Sequence, residues 1–236
     1  MSTAEPEAAI TTGDVTFPFN GESRPAYVAR PQGDGPFPGV VVIHEIVGLN
    51  ENIRDVTRRL ARAGYAALAV DLFAGRGNRT LCMWRLLASQ IRNSPGSRGV
   101  SELRAALSYL AAQPEVDATR LGAVGFCLGG GYAIAWACGD GRLKAIAPFY
   151  GMRTTPLSAL ARSCPVVGSY PDHDISTCSS RMLERRLTRY GIAHDIKVYA
   201  GAQHSFFNDR YPAHYNAAAS EDSWRRVLAF FDEHVR

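Results

Sequence analysis

From residue 39 onward the chain alternates short, apolar, β-branched stretches with segments of helical spacing. The apolar stretches fall at 40–43, 66–70, 122–126, 145–150, 166–170 and 195–199. Strands of this kind are buried on both faces, the condition of a mostly parallel sheet covered by helices on either side. Helical spacing runs through 51–63, 100–112, 128–137, 177–190 and 221–235, where crossover connections are required. Asn50 is placed to cap the first helix, Gly64 to stop it, and Gly191 to stop the fourth. Ahead of the alternating region, 15–19 and 26–30 flank an Asn20-Gly21 turn signal and predict an antiparallel hairpin. Only 75–99 breaks the rhythm, with Gly75, Gly77, a short helical stretch at 80–91, then Asn93, Pro95, Gly96 and Gly99. That interval predicts a cap over the sheet edge. With no repeat and no linker-like shift in composition, 1–236 is expected to be one α/β domain.

Composition narrows the function classes. The 236 residues are 46% hydrophobic and 20% charged, an ordinary globular balance. Against 22 acidic residues stand 26 basic ones, a formal net charge of +4, and no polybasic block concentrates it. Nucleic acid is therefore not an expected partner. The first fourteen residues carry Glu5, Glu7 and Asp14 and no basic residue, unlike a secretory signal, and a cytoplasmic location is expected. No apolar run approaches the ~20 residues that span a bilayer. Five cysteines without a Cys-x-x-Cys pair fit reduced thiols better than a disulfide framework or a zinc ribbon.

The chemistry concentrates in three places. At 121–132 an apolar strand runs through Gly125-Phe126-Cys127-Leu128-Gly129 into a helix, which is the strand–turn–helix of a nucleophile elbow, G-x-S-x-G, with cysteine in place of serine. Glycines beside the nucleophile leave room for the sharp turn. The helix terminus favours a thiolate at Cys127, and the Leu128 N–H is a candidate oxyanion donor. The competing reading is a small buried hydrophobe whose glycines merely allow close packing. A nucleophile here requires an acid and then a histidine after later strands. Asp172 and Asp174 both follow the stretch at 166–170, flanking His173, and His204 follows the one ending at Tyr199. Spacing does not separate the two aspartates, and either could cap the next helix. His173 raises a metal alternative that no second ligand cluster supports. Thirdly, the strand at 40–43 delivers His44 and Glu45 into a glycine-containing loop, where the Ile46 N–H is the second oxyanion candidate. Glu45 is placed to influence Cys127, or else pairs with a neighbouring arginine.

The segments HEIVGLN from His44, RLARAGYAALAVDLF from Arg59, GFCLGGGYA from Gly125, FYG from Phe149 and GAQHSFFND from Gly201 together resemble the dienelactone hydrolase family, the cysteine-dependent branch of the α/β-hydrolases. The resemblance runs from about Val15 to the end of the chain. It implies an α/β-hydrolase fold and a triad of Cys127, Asp174 and His204, with the acid at Asp174 rather than Asp172. It also implies that Glu45 restrains the resting thiol and helps form the thiolate, and that Ile46 and Leu128 donate to the oxyanion. Members acting on dienelactone hold the substrate carboxylate with two arginines; here those positions are Asn208 and the vicinity of Gly75, with Arg76 adjacent and Arg79 further on.

The expectation is a hydrolase that cleaves a small-molecule ester or lactone through a Cys127 thioester, with no metal or organic cofactor, as a monomer or small homo-oligomer. Arg76, Tyr150, Phe206 and Asn208 are the candidate substrate contacts, and Phe73 and Trp84 add aromatic character near the expected mouth. A broader carboxylesterase or thioesterase is the alternative favoured by Asn208. A non-catalytic thiol sensor would need neither His204 nor an acid turn.

Overall fold

The computed structural model describes residues 8–74, 84, 88, 95–153 and 155–236. Eight strands form one sheet: β1 (Ile10–Phe19), β2 (Glu22–Pro31), β3 (Phe37–Ile43), β4 (Ala66–Val70), β5 (Val116–Phe126), β6 (Leu143–Phe149), β7 (Val166–Pro171) and β8 (His194–Tyr199). Their order across the sheet is β1-β2-β4-β3-β5-β6-β7-β8. The β1–β2 and β2–β4 pairs are antiparallel, and all later pairs are parallel. Five α-helices connect or follow them: α1 (Glu51–Arg62), α2 (Arg98–Ala111), α3 (Leu128–Ala137), α4 (Ile175–Tyr190) and α5 (Ala217–His234).

Alternation along β3 shows how the continuous apolar runs are used. Val41 and Ile43 face one core with Leu103 and Leu107 of α2, Trp136 of α3 and Leu183 of α4. Val40 and Val42 face the other with Ile53, Val56 and Leu60 of α1 and Val227 and Phe231 of α5. Helix α3 is apolar on every side and almost wholly buried, as such a helix must be.

Several elements outrun their hydrophobic signal. Strand β5 begins at Val116 rather than 122, because its polar first half still pairs with Phe37 and Pro38 of β3. Helix α4 starts at Ile175 because Asp174 is its N-cap, in a capping box with Thr177. Asn216 likewise starts α5 four residues ahead of the expected 221. The end of the expected cap belongs to α2, whose N-cap is Ser97. Most of the rest of that cap, including Arg76 and Arg79, lies outside the described residues; Trp84 is described and exposed.

The sheet's C-terminal edge is organised by an unusually close backbone approach. Cys127 adopts a positive φ of 53° between β5 and α3, so α3 begins hard against the ends of β3 and β6. A Cβ on Gly129 would lie 2.4 Å from the Ile43 carbonyl oxygen and 2.7 Å from that of His44. One on Gly151 would lie 2.4 Å from the Gly130 carbonyl carbon. Backbone cannot yield as a flexible side chain can, so Gly129→Ala is expected to lower stability by about 3 kcal/mol or more. Gly141→Ala, where nothing lies within 4 Å, should stay within about 0.5 kcal/mol of wild type. Denaturant midpoints of the two variants, compared at equal m-value, check both.

Candidate active site

The C-terminal ends of β3, β5, β6, β7 and β8 bring together residues separated by up to 160 positions. Cys127 is half-buried at the elbow, held by its N–H on the Phe149 carbonyl at 3.0 Å and by its own carbonyl on the Gly131 N–H at 3.2 Å. It precedes the first turn of α3, where N–H groups lack intrahelical acceptors. Neither Leu128 nor Ile46 donates its amide to an acceptor among the described residues.

His204 lies beyond β8, on a loop that turns through Gly201 at φ 70°. Its Nδ1 is 2.7 Å from Asp174 Oδ2, and the carboxylate fixes the proton on that nitrogen. The aspartates divide the work that spacing left undivided. Asp174 caps α4 through the Ile175 N–H at 2.7 Å and also engages His204, while Asp172 accepts the Gly201 N–H at 2.9 Å and anchors the histidine loop. His173 is fully turned to solvent with only Asp172 beside it. Among the described residues no group of three His, Cys, Asp or Glu could hold a metal ion.

Burial alone would lower the His204 pKa, yet hydrogen bonds to Cys127 and Asp174, together with their charges, raise it to about 9. Burial pushes Asp174 the other way, and its bonds from His204 and Ser176 overcome that and lower it. Stability from the raised histidine is therefore full below its ordinary 6.5 and lost as pH rises through about 9. Stability from Asp174 is present above the ordinary carboxylate range and lost as pH falls through the lowered value.

Glu45 is 4% exposed and is not paired with arginine, the alternative its sequence position left open. Its Oε1 accepts the Tyr150 hydroxyl at 2.9 Å and its Oε2 the Asn208 amide at 3.3 Å. Tyr150 leaves β6 with a positive φ of 40°, which turns its phenol toward Glu45. Burial first, then the Glu45 and Cys127 charges, hold that phenol well above its ordinary pKa, so it remains a donor. His44 carries its proton on Nδ1: Nε2 accepts the Leu72 N–H at 3.0 Å, leaving Nδ1 to donate to the Glu45 carbonyl at 2.6 Å.

The candidate substrate contacts fare differently. Phe206 is wholly buried among Phe149, Tyr150 and Tyr199 and is a core residue. Phe73 is buried against the His44 ring. Tyr150 and Asn208 are buried and turned to Glu45. Three contributors escaped the sequence reading. His214, assigned no role there, donates from Nδ1 to the His204 carbonyl at 2.8 Å. Ser176 donates to Asp174, and Ser220 donates to the Phe206 carbonyl at 2.8 Å. A histidine ten residues beyond another was the available signal, but only the folded loop gives it meaning.

Comparison with known proteins agrees with this architecture, since the model of the dienelactone hydrolase family matches residues 25–235. The chain belongs to the dienelactone hydrolase family. A relative from Escherichia coli (strain K12), named as a carboxymethylenebutenolidase, is 35% identical over 97% of this chain and 89% of its own. One from Bradyrhizobium sp, named as a 2-oxo-3-(5-oxofuran-2-ylidene)propanoate lactonase, is 30% identical over 92% of each chain. The crystal structure of a dienelactone hydrolase from Klebsiella pneumoniae subsp. pneumoniae superposes with a TM-score of 0.85 at 32% identity, covering 96% of this chain and all of its own. The fold is the α/β-hydrolase fold, and this dienelactone hydrolase family member is a carboxylic ester or lactone hydrolase.

The imidazole signals of His204, followed by NMR, should titrate near pH 9, and both Cys127→Ala and Asp174→Asn should move the midpoint down. A midpoint unmoved by either substitution would remove these contacts as the cause of the shift.

Proposed function

We propose that this hydrolase works through a Cys127–His204–Asp174 triad and a thioester acyl-enzyme. The observation that carries the reading is the 2.7 Å bond between His204 Nδ1 and Asp174 Oδ2. It orients the opposite ring nitrogen toward a thiol standing on a strained turn at a helix N-terminus.

In the resting site His204, held protonated by its two neighbours, favours the thiolate of Cys127. The thiolate attacks the substrate carbonyl carbon and a carbon–sulfur bond forms. The carbonyl electrons move onto oxygen, where the unengaged N–H groups of Leu128 and Ile46 receive the charge. Collapse breaks the bond to the alkoxy oxygen, which leaves with the Nε2 proton of His204. The neutral imidazole then takes a proton from water, hydroxide character develops at the thioester carbon, and the carbon–sulfur bond breaks to release the acid and restore the thiolate–imidazolium pair. Asp174 stays ionised throughout and keeps the ring in register.

Glu45 is assigned a role before acylation. Its charge and that of Cys127 both act on the Tyr150 phenol, so the three groups are neighbours. A carboxylate there can hold the proton of the resting thiol and release the thiolate when substrate arrives. No step calls for a metal or organic cofactor.

Cys127→Ala is expected to lower kcat by at least about 10⁴-fold on a dienelactone and on a short-chain 4-nitrophenyl ester. Wild type quenched early in turnover should carry one acyl mass on the peptide containing Cys127. Undiminished activity in Cys127→Ala, or acylation at another residue, would sink the mechanism.

A further inference from the structure

Which substrates reach Cys127 depends on the charges buried around it. Both oxygens of Glu45 accept hydrogen bonds, the arrangement of an ionised carboxylate, and both donors are neutral. Among the described residues neither lysine nor arginine forms an ion pair with it. Asn208 is itself 7% exposed, and its other amide atom, Oδ1, accepts the Arg210 N–H at 3.1 Å, so its carbonyl and amide are both engaged inside the protein. The triad contributes a thiolate and the Asp174 carboxylate against one imidazolium. Counted with Glu45, one cation faces three anions, and burial keeps water from screening them well.

The rim has the opposite character. Nine large apolar side chains are exposed among the described residues, and four of them, Ile46, Val47, Met152 and Ile175, lie within two positions of Glu45, Tyr150 or Asp174. They sit where β3, β6 and β7 end, along the same sheet edge as Cys127. Exposed apolar groups gathered at a cleft mark a binding surface rather than scattered surface residues.

We propose that this site selects uncharged esters and lactones with an apolar acyl group, and that Glu45, caged by the neutral Tyr150 and Asn208, turns away substrates bearing a carboxylate near the scissile bond. The proposal rests on the thiol-dependent hydrolysis described above. For a substrate carboxylate ~8 Å from Glu45 at an effective dielectric of ~20, the repulsion corresponds to discrimination on the order of 30-fold in kcat/KM.

The test compares 4-nitrophenyl pentanoate with the mono-4-nitrophenyl ester of glutaric acid, which share a leaving group and chain length and differ in one terminal carboxylate. After subtraction of spontaneous hydrolysis, wild type should favour the pentanoate by about 30-fold in kcat/KM. Glu45→Gln keeps the side-chain volume and removes the charge; whatever happens to the absolute rate, the ratio should fall toward unity. Ile175→Lys, at a position 71% exposed and therefore tolerant of lysine, should narrow the ratio by adding a cation to the rim. A wild-type enzyme that hydrolyses both esters equally, or prefers the glutarate, would overturn the proposal while leaving the hydrolytic mechanism intact. A ratio unmoved in both variants would overturn it as well. Failure of both esters to acylate Cys127, read by mass spectrometry, would instead bring down the mechanism and this inference with it.

Discussion

The site depends on backbone meeting backbone where α3 begins. Side chains at Gly125, Gly129, Gly130 or Gly151 would place a Cβ within 3 Å of main-chain atoms, so the helix starts in direct contact with the ends of β3, β5 and β6. That contact sets the Leu128 amide beside the loop carrying Glu45 and Ile46, and it sets Tyr150 beneath Cys127. The positive φ of Cys127 is a strained conformation, and it persists because neighbouring hydrogen bonds and packing over-determine it. The strain lifts the thiol out of the sheet, where half of it meets solvent.

Two anionic systems then share one small volume. In the triad, opposite charges reinforce one another: Asp174 is lowered and His204 raised despite burial acting against both. Glu45 is stabilised differently, by two neutral hydrogen-bond donors. Tyr150 lies between the two systems and feels both, which keeps its proton in place. The result is a site with thiolate chemistry on one side and an uncancelled carboxylate on the other, edged by apolar side chains.

Precision comes from parts of the chain remote from the chemistry. The loop from Gly201 to Asn208 contains no regular structure, yet its amides and carbonyls are tied down at both ends: Gly201 to Asp172, His204 to His214, and Phe206 to Asn216 and Ser220. Helix α5 and the segment before it therefore act as a buttress for His204. Along the loop, Phe206 and Phe207 enter the apolar core while Asn208 reaches Glu45.

The parallel sheet was legible in the chain itself, because strands buried on both faces must be continuously apolar and the crossovers between them must carry helical spacing. The elbow was legible for a related reason, since only glycine fits around Cys127, and the order of cysteine, acid and histidine follows from the order of strands. Boundaries were less legible where polar residues extend an element, as in the first half of β5 and the first turn of α5. Tertiary structure alone decided between Asp172 and Asp174, because both follow the same strand and only the fold determines which carboxylate meets His204. It also moved Phe206 from the expected pocket wall into the core, gave His214 its place behind His204, and turned Tyr150 and Asn208 toward Glu45. Those assignments depend on where side chains point after distant segments meet, and a linear pattern of apolar and polar residues carries the period of each element but not the direction of a loop.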